Sequence, residues 1–346
     1  MRARGYVGVT VLGLVLLSGI AGVGGYTYWA KSLDRPIALN TSTVFEIQRG
    51  DGVRQTLDAL HARGIIGAVW PYKVLSWFEP QRLKGLRAGE FALTPGMTSW
   101  QLLEKLSSND VVTYSVTVPE GRTFAQLRAL IDGLPKLEHR TIGLSEEALM
   151  ASIGHDGERP EGHFFPTTYH YRKGMQDITL FKQAYDVMEE TLQHAWQTRA
   201  PNLPYVSPYE ALIMASLIEQ ETGVAEERNE IAGVFVRRLK KGMRLQTDPA
   251  VAYGLRKYAK TLTRTDLTTP TPYNTYMNDG LPPTPIALPG KAAIEAALHP
   301  ADGTSLYFVA RGDGGHRFSN SLDEHMRAVQ DYLRQLKVTP SQSRQP

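Results

Sequence analysis

The segment SPYEALIMASLIEQET, beginning at Ser207, ends on two carboxylates, Glu219 and Glu221. On a helix these point roughly 200° apart, so they cannot act on one bond as a catalytic pair. The chemistry open to the segment is that of a single carboxyl. Glu221 stands four residues after Leu217 and seven after Met214, and so continues an apolar stripe. A carboxyl held there loses hydration, which raises its pKa. The negative end of the helix dipole acts in the same direction. A raised pKa suits a group that must donate and accept protons near neutrality. A helix-end Glu is ordinarily solvated or salt-bridged, and the apolar stripe is what sets Glu221 apart. Glu219 follows Ala215 and Ser216. It is expected to face a groove or to pair with Arg228 or Arg237.

Such a carboxyl needs a helix enclosed on most sides. Ser207 is a plausible N-cap, Pro208 suits the first helical position, and Glu210 completes a capping box. The middle, ALIMASLI, is apolar all round and belongs at the centre of a domain. A second helix runs through ERNEIAGVFVRRLKKG, with Ile231, Val234, Phe235 and Leu239 as its buried stripe and Gly242 as its stop. Its basic run, RRLKKGMR, reads as cations complementing the helix C-terminus rather than as a phosphate site. The segments RLQTDPAVAYGL, TPTPYNTYMNDGLPPTPIALPG and GDGGHRFSNSLDEH follow. Their Tyr, Pro, Asn and Thr content suits carbohydrate, offering flat apolar faces to sugar rings and amides or hydroxyls to sugar hydroxyls. His316 and His325 lack a third ligand at a metal-binding spacing. Arg311-Gly312-Asp313 reads as a turn. No nucleophile-elbow, H-E-x-x-H or phosphate-loop motif occurs.

Upstream, VFEIQ predicts a strand, with a turn at Gly50 and Gly52 and a helix through Val53, Leu57 and Leu60 that stops near Gly64. A helix over about 71–78, a short strand GEFAL and a helix through Trp100, Leu103 and Leu106 complete a strand-helix-helix-strand module. VVTYSVTVPEG predicts another strand, with helices following over about 123–131 and 178–196. The aromatic-rich EGHFFPTTYHY lies between those helices. Near the N-terminus, Tyr6 to Trp29 forms one uncharged apolar run, long enough to cross a bilayer. Arg2 and Arg4 precede the run and Tyr26, Tyr28 and Trp29 close it as an aromatic belt, which orients the N-terminus to the cytoplasm. The run is longer than a secretory h-region and lacks a clean cleavage site, so an uncleaved anchor is expected. The chain has 346 residues, 42% of them hydrophobic and 21% charged, and its formal charge is +3. It is therefore foldable, long enough for two domains, and without an electrostatic case for nucleic acid. The absence of cysteine excludes disulfides, thiol nucleophiles and Cys-based zinc sites.

The string ASLIEQETGVAEERNEIAGVFVRRLKKGMRLQTDPAVAYGL, followed in order by TPYNTY, GLPP, LYFVA and GGHRF, resembles the endolytic murein transglycosylases of the MltG (YceG-like) family. The resemblance extends over nearly the whole chain, including the anchor and EGHFFPTTY. Thr284, after Pro282-Pro283, stands where the family commonly has Gly, and Thr167 where it commonly has Asp. The resemblance implies an α+β protein. Its expected parts are a transmembrane anchor over 1–30, a linker over 31–42, a small LysM-like α/β subdomain over 43–112, a larger mixed catalytic domain built around a buried helix over 113–339, and a disordered tail over 340–346.

The resemblance also implies an enzyme on the outer face of the inner membrane that cleaves glycan strands, with Glu221 as its catalytic acid and base. The implied partners are peptidoglycan glycan strands, membrane lipid around residues 6–29 and, as a candidate, a peptidoglycan synthase; nucleic acid is not among them. No metal or organic cofactor is called for. The groove candidates are Glu219, Thr222, Gln246, Thr247, Asp248, Tyr273, Asn274, Tyr276 and His316. Two other readings stay open at this point: a hydrolase of the same glycan in which Asp248 activates water, and a non-catalytic peptidoglycan-binding scaffold.

Overall fold

The computed structural model describes residues 3–257 and 261–338, with side chains over 12–257 and 261–335. Arg2, the side chain of Arg4 and the tail expected to be disordered lie outside the described residues. The chain forms two units, Met1–Tyr114 with Arg172–Gly174, and Ser115–Tyr171 with Met175–Pro346.

In the first unit, helix α1 (Ala3–Asp34) carries an apolar stretch, Leu12–Asp34, long enough to cross a membrane. Its Leu12, Leu16, Leu17, Ile20 and Val23 are all exposed. Strand β1 (Thr43–Ile47) is followed by α2 (Val53–Ala62), α3 (Trp70–Phe78), the short α4 (Gln81–Lys84), strand β2 (Gly89–Leu93) and α5 (Ser99–Ser107). The expected strand-helix-helix-strand order is present, with α4 inserted before the second strand. β1 and β2 pair antiparallel and set Phe45 opposite Phe91. Both rings are buried with Leu60, Leu75 and Leu102. Thr98 and Gln101 form the capping box that starts α5.

The structure corrects two expectations here. Residues 31–42 are not a free linker. Trp29, Leu33 and Ile37 recur every fourth residue and are all buried in the core of this unit. Backbone bonds fasten the segment further, from Ile37 N–H to the Met97 carbonyl (2.7 Å) and from Ala38 N–H to that of Ile65 (2.9 Å). Its few apolar residues are diluted by polar neighbours, so composition hides the stripe. Trp29 is likewise no lipid-facing belt residue, because its indole N–H donates to the Pro71 carbonyl inside the protein at 2.9 Å. Tyr26 and Tyr28 do remain exposed.

The chain enters the second unit along β3 (Tyr114–Thr117), which pairs with β4 (Thr168–Tyr171). β3 is shorter than the alternation suggests, since the chain turns at Gly121 with φ +75°. Between these strands lie α6 (Phe124–Asp132), started by a Thr123–Gln126 capping box, and α7 (Glu146–Ser152). Then come α8 (Asp177–Gln197), α9 (Pro208–Glu221), a 3-10 turn (Ala225–Glu227), α10 (Arg228–Lys240), α11 (Asp248–Gly254), α12 (Arg264–Thr268) and α13 (Lys291–Leu298). The ribbon β5 (Tyr307–Ala310) and β6 (His316–Ser319) pairs Phe308 with Phe318, and α14 (Leu322–Val338) packs on it.

α9 is the axis of this unit, with every residue from Ala211 to Ile218 buried. α8, α10, α11 and α13 pack around it. Alanines on both helices, Ala211 and Ala215 against Ala293, Ala296 and Ala297, let α9 and α13 approach closely. Ser207 caps α9 by accepting the Glu210 N–H, but the reciprocal bond is displaced. The Glu210 carboxylate accepts the N–H of Val206, one residue before the cap, at 2.7 Å. The expected capping box is thus half formed, with its second bond satisfying the approach to the helix.

The buried stripe at 29, 33 and 37 yields a test. Leu33→Ala should destabilise the first unit by about 2–5 kcal/mol, the cost of a cavity at a fully buried leucine. Hydrogen exchange of the β1 and β2 amides should read this as lost protection. A linker residue would leave those amides unchanged.

Candidate active site

Glu221 is the last residue of α9, and Thr222 after it turns extended (φ −143°, ψ 135°) as the C-cap. Burial is the main cause that pushes the Glu221 carboxyl up from 4.5 to about 7. The hydroxyl of Thr247 and the charge of Arg238 pull it down, while the carboxylate of Asp248 pushes it further up. The carboxyl is therefore poised between its two protonation states at neutral pH, as the apolar stripe predicts.

The groups facing it come from α10 and from the approach to α11. Gln246 adopts φ +52°, rare for a residue with a side chain, and this turns the chain so that Thr247 is buried while Gln246 and Asp248 stay exposed. The strand-like pieces 246–247 and 275 are fastened together. Gln246 N–H donates to the Thr275 carbonyl (3.1 Å), Thr247 N–H donates to Thr275 Oγ1 (2.9 Å), and that hydroxyl donates to the Thr247 carbonyl (3.2 Å). Tyr276 donates its hydroxyl to Asp248 Oδ1 at 2.6 Å. Burial and this carboxylate push the Tyr276 pKa up, so the phenol stays a donor.

Arg238 belongs to the basic run read as cations complementing a helix C-terminus, a place where such side chains are usually exposed. It is buried instead, donating to the carbonyls of Leu306 (2.7 Å) and Leu245 (2.8 Å), with its guanidinium 5.0 Å from the centre of the Tyr307 ring. It holds the β5 segment and the approach to Thr247 together and places a positive charge near Glu221. Its neighbour Arg237 donates to the carbonyls of Ser305 and Ala301.

Among the described residues Glu219 forms no salt bridge with Arg228 or Arg237, although the charge of Arg228 acts on it. Its Oε2 accepts the N–H of Gly290, the N-cap of α13, at 2.9 Å. Burial raises its pKa, the Gly290 N–H lowers it, Glu120 raises it again and the Arg228 charge lowers it. A Cβ at position 290 would lie 1.9 Å from a carboxylate oxygen of Glu120, so a larger residue there would push that exposed side chain aside. Gln220 donates to the Gly121 carbonyl at 2.7 Å. Glu120, Arg122, Gln220, Asp248, Tyr253 and Lys257 line a cavity of about 520 Å³ beside this helix end. It offers hydrogen-bonding groups of both signs and one aromatic face.

Several sequence candidates serve the framework. Asn274 is fully buried; its amide donates to the carbonyls of Leu267 (3.1 Å) and Thr269 (2.8 Å), and its Oδ1 accepts Tyr276 N–H (3.0 Å). It shapes the loop and has no face left for a ligand. The Thr222 hydroxyl accepts Val224 N–H at 2.9 Å, closing the turn after α9. The Tyr273 hydroxyl shares a hydrogen bond with Thr284 (2.8 Å), and its ring lies 4.9 Å from that of Tyr253. His316 is held by Glu227, which contacts its Nδ1 (2.7 Å) and accepts its backbone N–H (2.9 Å). His325 stacks on Tyr307.

Sequence reasoning missed Glu161. It is buried and accepts Phe124 N–H (2.9 Å) at the start of α6 and the Tyr253 hydroxyl (3.0 Å) from α11. Burial pushes its carboxyl up to about 7 as well. The available signal was an acid opening the aromatic run of EGHFFPTTY, where only a paired carboxylate can be enclosed.

A carboxyl poised near neutrality at the end of a helix with a buried middle, beside a polar and aromatic cavity, defines a class of site suited to acid-base chemistry on a polar substrate. The YceG-like family model matches residues 45–331. The chain belongs to the YceG-like family. It is 31% identical over 335 residues to the endolytic murein transglycosylase of Bacillus subtilis, covering 90% of this chain and 91% of that protein. It is 26% identical to the endolytic murein transglycosylase of Streptococcus pneumoniae D39, covering 95% of this chain and 66% of that longer protein. Its fold is similar to the crystal structure of a yceG-like protein from Listeria monocytogenes, with a TM-score of 0.53 and 28% identity over 83% of this chain and 98% of that one.

The raised carboxyls generate a pH prediction. Unfolded, Glu161 and Glu221 lose their protons near the ordinary 4.5; folded, they keep them to about 7. Stability should therefore fall as pH rises through this window, with the full cost present above it. Glu221→Gln removes its share. The variant should match the parent chain near pH 4 and exceed it at pH 8 by up to about 3 kcal/mol. Denaturant melts at the two pH values check this.

Proposed function

We propose that this chain is a membrane-anchored endolytic lytic transglycosylase of peptidoglycan, with Glu221 as its sole acid and base. The observation that carries the reading is the Glu221 carboxyl, poised near neutrality on an enclosed helix end with no second carboxylate on its own face of that helix. Membership of the family and relatives bearing this activity in their names support it.

In this mechanism protonated Glu221 gives its proton to the glycosidic oxygen between N-acetylmuramic acid and N-acetylglucosamine. The C1–O bond breaks, its electron pair leaves with that oxygen, and positive charge develops at C1. The muramic N-acetyl carbonyl stabilises the charge. The C6 hydroxyl of the same sugar then attacks C1 and returns its proton to Glu221. A 1,6-anhydro ring forms and no water is consumed. Ordinary glycosidases require two carboxylates; one suffices here because the nucleophile belongs to the substrate. Asp248, held by Tyr276, and Arg238 have opposed effects that tune the proton affinity of Glu221. The cavity lined by Gln220, Asp248 and Tyr253 is the part of the groove that would hold sugar.

The remaining assignments belong to the same proposal. The first 30 residues anchor the chain, with the N-terminus in the cytoplasm and the rest on the outer face of the inner membrane. The strand-helix-helix-strand module over 43–112 is a LysM-like glycan-binding subdomain, and 113–339 is the catalytic domain. Cleavage within nascent strands would end their elongation beside a synthase.

The test compares Glu221→Gln with Glu219→Gln on purified sacculi, with mass analysis of the products. Glu221→Gln should fold and bind glycan but lose cleavage, since an amide neither gives nor takes the proton. Glu219→Gln should keep measurable turnover, because its amide oxygen can still accept the Gly290 N–H. Robust anhydro products from folded Glu221→Gln would sink the assignment. Reducing muramic ends from the parent chain would indicate instead a hydrolase in which Asp248 activates water.

A further inference from the structure

Helix α3 has two apolar stripes and only one core. Pro71, Tyr72 and Leu75 face inward and are buried. Trp70, Val74, Trp77 and Phe78 recur at i, i+4, i+7 and i+8 and form a second stripe. Trp77 is 79% exposed, Phe78 72% and Trp70 44%, while Val74 is partly buried. Lys73 and Ser76 are the helix's only polar residues. Single exposed aromatics are ordinary, but a contiguous stripe of them marks a surface that is covered by something.

The position of the stripe identifies what covers it. The Trp70 ring stacks on Tyr28 of α1 (6.2 Å between centroids, 5° between planes), and the Phe78 ring lies 6.1 Å from Trp29. The Trp29 indole N–H also bonds the Pro71 carbonyl. The ends of α3 are about 12 Å apart, yet they meet neighbouring residues of α1, so α3 crosses α1 at one level. That level is the end of the apolar stretch, where Tyr26 and Tyr28 are exposed and Lys31 and Arg35 follow. Trp and Tyr concentrate at this depth of a bilayer because their rings are apolar and their N–H or O–H groups are wet. Amphipathic helices bearing Trp and Phe lie in the same plane. Because Leu33 and Ile37 join α1 to the core of the unit, the crossing is fixed rather than loosely tethered.

We propose that α3 is an interfacial helix, and that its Trp70–Val74–Trp77–Phe78 stripe docks the first unit onto the lipid surface where α1 leaves the membrane. The inference rests on the reading of α1 as a membrane span.

The test uses the full chain in liposomes. The sequence has no cysteine, so one introduced cysteine carries a nitroxide without ambiguity. Labels are placed by Leu16→Cys in the span, Trp77→Cys on the stripe and Arg54→Cys on exposed α2, and collisions with oxygen and with a water-soluble nickel chelate are compared. The Leu16 label should favour oxygen and the Arg54 label nickel. The Trp77 label should show nickel access several-fold below that of Arg54. As a second readout, a label at exposed Lys73 should gain nickel access when Trp77→Ser and Phe78→Ser are introduced together. A Trp77 label as nickel-accessible as Arg54, with Leu16 still favouring oxygen, would overturn the docking while leaving the span intact. Nickel access at Leu16 would overturn the span itself. Dipolar broadening between Trp77 labels that survives dilution with excess lipid would show a second copy covering the stripe, and would also overturn the proposal.

Discussion

An ionisable group at the end of a helix whose middle is wholly buried must be supported from outside that helix. α9 has no polar face to turn outward, since Ala211 through Ile218 are all buried. The unit therefore surrounds it with α8, α10, α11 and α13. Burial makes the Glu221 carboxyl hold its proton, and the surrounding elements decide how firmly. Thr247 and Asp248, adjacent in sequence, act in opposite directions, and Arg238 of α10 joins Thr247 in favouring the ionised form. A group tuned by opposed neighbours can be shifted either way by small displacements of α10 or α11. Most of the polar bonding in the surrounding loops serves to prevent such displacements.

The loop networks have that character. The left-handed Gln246 and the paired bonds between Thr247 and Thr275 set the entry to α11, and Asn274 fixes the opposite loop with each of its amide groups engaged. Farther along α11, Tyr253 reaches Glu161, which also holds the first N–H of α6. Arg238 ties the residues before Thr247 to the β5 segment. Each bond removes a freedom of the helix that carries Asp248. Enclosed polar groups of this kind are costly when unpaired and rigidifying when satisfied, which accounts for so many amide and hydroxyl side chains in loops that also border a cavity.

This explains which parts of the site the sequence revealed. Glu221 was legible because a helical stripe is a local pattern, and the consequence for its pKa follows from burial alone. The cap at Ser207 was legible for the same reason, as was the order of strands and helices in the first unit. The roles of Asn274 and Tyr276 were not, since both sit in one polar, tyrosine-rich loop and only the fold decides which is enclosed. Arg238 was hidden by the basic run around it: Lys240 and Lys241 are exposed, whereas Arg238 turns inward to four acceptors beside a partly buried Arg237. Glu161 was hidden because its partners are about 37 and 92 residues away in the chain, a separation no spacing rule can detect.

The same limit applied at the other end of the molecule, with a different consequence. A hydrophobic run followed by a polar stretch reads as anchor and linker, and a linker would let the module behind it move freely. The buried Trp29, Leu33 and Ile37 make that stretch the last part of the module's own core. The helix that holds the apolar run and the core that holds β1 and β2 are therefore one folded body. Its distance from the end of the run is set by packing and not by chain entropy. Any glycan-binding surface on that body would then be presented at a fixed height, so reach within the first unit is a property of side-chain packing at residues 29 to 37 rather than of linker length.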